Sequence, residues 1–311
     1  MKIKTKLTIL LVVLGLTLTG CTKYLQDDNK KRIVNEATGQ SLPSNILCQP
    51  SDKDLINIYK KHEKKLEVKI EHLPKCQDMK LYSSETYSGL WAQIFVTPLS
   101  WYIIKEASLV KNYGLAIMIV GLIIRIILMP FSIKTAKQSE NMKKAQPELD
   151  RLEKKYKEKK SNEEMMQKSQ EMMAIYKRYS VSPISSCLLA FVQFPLFLAF
   201  LEAINRTPAI FEETLWTFQL GTTPLVGIKS GNYFYLILIA LIIITTYLSF
   251  KFNMSSVGSP EQQKQMKFMT NFMLVFISVA SFSLPTAIAL YWIVTNGFSV
   301  IQNIIIKKRR S

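Results

Sequence analysis

Arg125 lies inside Tyr113–Met129, a stretch otherwise almost wholly apolar that ends at Pro130, just before a long charged segment. A guanidinium keeps its charge in a protein, and placing one in hydrocarbon costs at least ~2.5 kcal/mol on the most lenient insertion scale. Something polar must face it: headgroups reached by snorkelling, or a hydrophilic cavity. Phe131 lies a rise of about 9 Å further along a helix, a distance that an Arg side chain covers only in part. The cavity is the favoured reading.

A second polar signal lies in the last apolar segment. At about 100° per residue, Tyr291, Gln302, Thr295, Ser299, Trp292, Asn303 and Asn296 share one face, while Ile293, Val294, Gly297, Val300, Ile301 and Ile304 fall elsewhere. A few Asn and Gln residues can join neighbouring helices, but a stripe this long fits a water-accessible cavity better. Gln193 directly precedes Phe194-Pro195, and a proline frees a backbone carbonyl that lipid cannot satisfy. Arg125, Gln193 and the stripe (Tyr291, Trp292, Thr295, Asn296 and Ser299) together predict a polar groove among three helices. Its cation would attract acidic groups.

Catalytic patterns are missing from the sequence. It has no phosphate-binding Gly-rich loop and no His-Glu-x-x-His, and its only histidines are His62 and His72. These two, with Cys48 and Cys76, lack zinc-type ligand spacing. No enzyme, no cofactor and no metal centre is expected. A disulfide between Cys48 and Cys76 is chemically open in an oxidising compartment, though spacing alone does not establish it.

These residues need a membrane scaffold. Five stretches approach the ~20 residues that cross a bilayer: about 112–131, 184–204, 232–252, 266–284 and 285–306. The expected fold is all-α, with five transmembrane helices around the groove. The chain opens Met1-Lys-Ile-Lys-Thr-Lys, continues through apolar Leu7–Leu18 and reaches Leu18-Thr19-Gly20-Cys21. This reads as a signal peptide over 1–20. Leu-Thr-Gly-Cys resembles a bacterial lipobox, which makes Cys21 the expected acyl anchor, for example a palmitate. Residues 21–87 then form a lipid-anchored extracellular tether with one helix, at Asp54–His72, and 88–311 form the membrane core.

Charge orients the core. The segment 132–183 carries thirteen Lys/Arg against eight Asp/Glu, whereas 206–231 holds only Arg206 and Lys229 as basic residues. By the positive-inside rule, 132–183 and the Lys307-Lys308-Arg309-Arg310 tail are cytoplasmic, in a plasma membrane protein whose N-terminus is outside. This bias explains much of the +17 net charge; lipid accounts for the basic tail, with ribosomal RNA as a rival and no need for DNA. Leu90–Val110, rich in aromatics and closed by Lys105-Glu106, suits an interfacial helix lying flat. Ser132–Ser180 reads as a helical hairpin, its second helix starting at the capping-box sequence Ser161-Asn-Glu-Glu164. Met142, Met165, Met166, Met172 and Met173 are expected to pack its seam, with an adaptable partner-binding face as the alternative.

The residues resemble the YidC/Oxa/Alb family of membrane protein insertases, in the short lipoprotein form of Gram-positive-type bacteria. The matching text is Asn112-Tyr-Gly-Leu-Ala-Ile, Ile124-Arg125-Ile126, Met129-Pro130-Phe131, Gln146-Pro147-Glu148-Leu149, Val192-Gln193-Phe194-Pro195-Leu196-Phe197, Leu284-Pro285-Thr286 and Leu290-Tyr291-Trp292-Ile293 with Asn296, over roughly 88–308. The resemblance implies a groove open to cytoplasm and lipid. The residue matching Arg125 is its central cation, recruiting acidic residues of a client's outer tail, and the residues matching Gln193 and Trp292 line it. It also implies that the hairpin receives nascent membrane proteins and contacts ribosome or Sec translocase, without ATP. The chain departs from the pattern at Gly121, where the family usually has threonine, and in the length of residues 22–85. A small-solute transporter using Arg125 as an anion site is the rival function, and a scaffold lipoprotein the third.

Overall fold

The structure, a computed structural model, describes residues 22–81, 89–158, 161–182, 185–253 and 260–308; the predicted signal peptide and Cys21 lie outside them. The chain divides into two compact units, one built from 1–122, 194–240 and 280–294 and the other from 123–193, 241–279 and 295–311.

The first unit begins with a folded module. Strands β1 (Val34–Asn35) and β2 (Gln40–Ser41) pair antiparallel, and helix α1 (Lys53–Lys61) is capped by Asp52, which accepts from the Leu55 amide at 2.8 Å. Leu25, Leu42, Ile46, Leu55, Tyr59, Ile70 and Leu73 form its core, completed by Phe211 from far along the chain. Cys48 and Cys76 are bonded to each other, 28 residues apart in sequence, so neither is a free thiol.

This differs from the tether with one helix at Asp54–His72. Leu55, Tyr59, Leu66, Ile70 and Leu73 do recur at helical spacing, but α1 stops at Lys61 and short 3₁₀ turns follow at Glu63–Lys65, Ile70–His72 and Cys76–Asp78. A helix over 54–72 would be about 28 Å long, roughly the diameter of a 60-residue unit. Breaking it lets every apolar residue reach one small core.

Helix α2 (Thr97–Val110) continues a π-helical turn at Ala92–Val96 and ends at Lys111, whose φ of 58° is left-handed. Helix α3 (Tyr113–Ile127) leaves at 119° to it. After a single-residue break at Leu128, α4 (Met129–Lys155) begins with Pro130 in its first turn, where a missing N–H costs nothing.

The second unit holds the hairpin of α4 and α5 (Asn162–Arg178). Ser161 and Glu164 cap α5 reciprocally, as the sequence predicts. Met142, Ala145, Leu149, Leu152, Tyr156, Ile175, Tyr176 and Val181 make its seam. Lys155 pairs with Glu171 at 2.7 Å and Arg178 with Glu148 at 2.9 Å. The expectation that the methionines pack this seam holds for Met142, with Met172 partly buried against it. Met165, Met166 and Met173 are at least half exposed, because Leu and Tyr side chains already fill the interface.

Helix α6 (Ser185–Arg206) runs through Pro195, and the short α7 (Pro208–Phe211) follows. The hairpin β3 (Thr214–Leu215) and β4 (Phe218–Gln219) comes next, then α8 (Pro224–Lys229). The chain closes with α9 (Phe234–Asn253), α10 (Pro260–Ala280) and α11 (Thr286–Lys308). Among the described residues, α9 and α11 are each long and apolar enough to cross a membrane, and α2 with α3 reach that standard together as a bent pair. Helix α10 stops at Ala280, short of the expected 284: the Ser283 and Leu284 amides both return to the Ala280 carbonyl, and Pro285 follows.

Candidate functional site

Three residues of the polar stripe lie on the buried side of the last helix. Tyr291, Thr295 and Ser299 are buried, whereas Ile301, Ile304 and Ile305 on the opposite side are exposed. A helix that hides hydroxyls and presents isoleucines is inverted relative to one in water and fits an apolar solvent with a polar interior.

The stripe divides by partner. In the first unit, Tyr291 stacks on Phe200 with ring centroids 4.1 Å apart, and Trp292 stacks on Phe197 at 5.2 Å. These four rings bind α11 to α6, each pair worth about 0.5–1.5 kcal/mol beyond its buried area. In the second unit, Asn296 Nδ2 donates to Thr246 Oγ1 of α9 at 2.9 Å, the interhelical bond expected of an intramembrane amide. Ser299 Oγ donates to the Thr295 carbonyl and Asn303 Nδ2 to the Ser299 carbonyl, bonds that satisfy these groups along their own helix. Gln302 Nε2 is buried with no hydrogen-bond partner among the described residues. Arg125 on α3 and Gln193 on α6 are half-buried, and both take part in polar or electrostatic interactions.

A second polar constellation, in the first unit, escaped the sequence reading. Glu202, on α6, is 5% exposed, and Arg206, one turn later, is 2% exposed. Glu202 Oε1 accepts from Trp91 Nε1 at 3.0 Å, Arg206 Nη1 reaches Glu202 Oε2 at 3.4 Å, and Arg206 Nε donates to the Asn45 carbonyl at 2.8 Å. Two buried charges spaced i, i+4 in an apolar helix were the available signal. The module is fastened nearby at three more points. The Leu47 amide donates to the Arg206 carbonyl, the Ser51 and Asp52 amides donate to the Glu212 carboxylate at 3.0 and 3.3 Å, and Thr222 donates its hydroxyl to the Thr38 carbonyl. Gly39, at φ +67°, meets Val226 so closely that a Cβ would stand 2.5 Å from its methyl.

Charge and burial oppose each other at Glu212. Burial pushes its carboxyl above the usual carboxylate range, against the two amides that favour the anion. In the hairpin, hydrogen bonds to Glu171 and Glu148 hold the Tyr156 and Tyr179 hydroxyls above the ordinary phenol range.

Residues 105–311 match the family described as 60Kd inner membrane protein. The chain is 39% identical over 225 residues to a protein of Oceanobacillus iheyensis named membrane protein insertase YidC, covering 71% of this chain and 84% of the relative. It is 36% identical over 234 residues to membrane protein insertase YidC 2 of Bacillus anthracis, covering 75% and 87%. With membrane protein insertase MisCA of Bacillus subtilis it shares 33% identity over 234 residues, covering 75% and 85%.

Proposed function

The chain belongs to the YidC family of membrane protein insertases, and from that membership we propose that it inserts nascent membrane proteins into the plasma membrane and helps them fold, alone or beside the Sec translocase. Helices α3, α6, α9, α10 and α11 cross the bilayer, α2 lies along its outer surface, and the hairpin of α4 and α5 stands in the cytoplasm with the C-terminus. The module 22–81 is outside, anchored by lipid on Cys21.

The observation that carries this reading is the inward polar face of α11, which includes the buried amide nitrogen of Gln302. A buried donor with no partner among the described residues is suited to water or a passing polar group. Arg125 and Gln193, with Tyr291, Trp292, Thr295, Asn296 and Ser299, line a groove reached from the cytoplasm. Arg125 attracts the acidic tail of a client, and transfer of the client's apolar segment into lipid drives the reaction. The charged hairpin is the entry surface for clients and, with the basic tail, the contact for the ribosome.

The test is complementation. In a bacterium depleted of its own insertase, this chain and its Arg125→Lys variant are expected to restore insertion of a single-span client with an acidic outer tail, while Arg125→Ala fails. Rescue by all three variants would reduce Arg125 to a membrane anchor. Rescue by none would overturn the insertase reading.

A further inference from the structure

The β3–β4 hairpin carries Trp216 at its tip. This residue is 82% exposed and sits at φ 53°, a left-handed conformation that an aromatic residue rarely adopts. The hairpin is firmly seated. Phe218 packs edge-on against Tyr235 with centroids 5.1 Å apart, the Gln219 amide donates to Tyr235 Oη at 3.0 Å, and Asn232 Nδ2 donates to the Thr217 carbonyl at 2.9 Å. Gly227 of α8 lies so close to the Tyr235 ring that a Cβ there would be 2.2 Å away. The tip is therefore fixed at the level of Asn232–Tyr235, where the apolar span Phe234–Phe252 begins.

That level is where a span passes from hydrocarbon to headgroups, the zone Trp and Tyr favour. Tyr233 and Phe234 are exposed beside the tip, and the exposed face continues down α9 through Ile237, Leu241 and Ile244. Between hairpin and helix lies a shallow notch of about 580 Å³, polar at Thr217, Ser230 and Asn232 and apolar at Phe234 and Ile237. Lys229, one residue before its rim, is an exposed cation. A surface aromatic at its tip, polar above and apolar below, and continuous with a lipid-facing helix matches the cross-section of an anionic phospholipid.

We propose that the Trp216 hairpin is a membrane anchor, its indole seated at the carbonyl level of the leaflet and the notch beside it holding a phospholipid headgroup. The assignment of this leaflet as the outer one rests on the topology proposed above; the contact with lipid does not.

The test uses the full chain reconstituted in phosphatidylglycerol vesicles with chains brominated at a shallow or a deep position, and difference spectra between wild type and Trp216→Ala to isolate this indole from the other three tryptophans. The Trp216 component should be quenched about twofold more by shallow than by deep bromines and be protected from aqueous acrylamide. An indole quenched by acrylamide and unaffected by either bromine overturns the anchor. Labelling of Lys229→Cys by an impermeant maleimide in intact cells reports the side separately: failure to label would overturn the topology while leaving the bromine result to decide the anchor.

Discussion

Arg206 Nε donates to the Asn45 carbonyl at 2.8 Å while Nη1 of the same guanidinium faces Glu202, so a single buried cation ties the module to the end of α6. Both charges are almost wholly buried. Removing one leaves the other uncompensated, at a cost of about 3–5 kcal/mol. Arg206→Met should therefore unfold far more readily than the double variant Arg206→Met with Glu202→Gln, as measured by thermal unfolding in detergent.

Phe211 completes the module core from outside the module. Phe211→Ala should destabilise that core by about 3–5 kcal/mol, freeing residues 22–81 to proteolysis while α9 and α11 stay resistant. A time course of limited digestion checks this.

The Cys48–Cys76 link closes a loop whose ends are 28 residues apart. Constraining a loop of this length stabilises the folded module by about 3–4 kcal/mol. The Cys48→Ala, Cys76→Ala pair should melt the module well below the rest of the chain, and reductant should do the same only slowly, because both sulfurs are buried. Melting curves with and without reductant distinguish these cases.

Glu212 gives the module a pH dependence. Burial raises its carboxyl above the value it has in the unfolded chain, so the folded state holds its proton more tightly. The resulting stabilisation is complete below the unfolded value and is lost as pH rises through the folded one. Glu212→Gln should flatten that slope, whereas Glu212→Ala should cost about 0.5–1.5 kcal/mol by removing the acceptor of the exposed Ser51 and Asp52 amides. Stability measured from pH 4 to pH 7 separates the two variants.

In the hairpin of α4 and α5, Leu149 is 2% exposed and Met166 is 60% exposed. Leu149→Ala should lower hairpin stability by about 2–5 kcal/mol, while Met166→Gln should change it by less than about 0.5 kcal/mol. Hydrogen exchange across residues 133–180 reads both.

What the sequence made legible follows the strength of each local signal. The hairpin start at Ser161 was readable because a capping box is a four-residue pattern. That Tyr291, Thr295 and Ser299 share the buried side of α11 was readable because they recur at helical spacing. The module was not readable as a folded unit. Its core needs Phe211, and its apolar residues at 55, 59, 66, 70 and 73 mimic a single helix, so periodicity misled where a distant contact decided. The Trp91–Glu202–Arg206–Asn45 network was hidden for a related reason: its members come from three separate segments, and only the i, i+4 pair is local. The aromatic partners of Tyr291 and Trp292, Phe200 and Phe197, were likewise invisible until two helices met.

The long reach of these contacts has a consequence for synthesis. Asn45 meets Arg206 across 161 residues, and Thr38 meets Thr222 across 184. At about 5–20 residues per second on the ribosome, the module waits roughly 7–26 s, with its core open on one side, before the segment carrying Phe211 has been made. During that interval the bond between Cys48 and Cys76 is a covalent restraint the module can already acquire, which gives early oxidation a direct influence on how many chains survive to assemble.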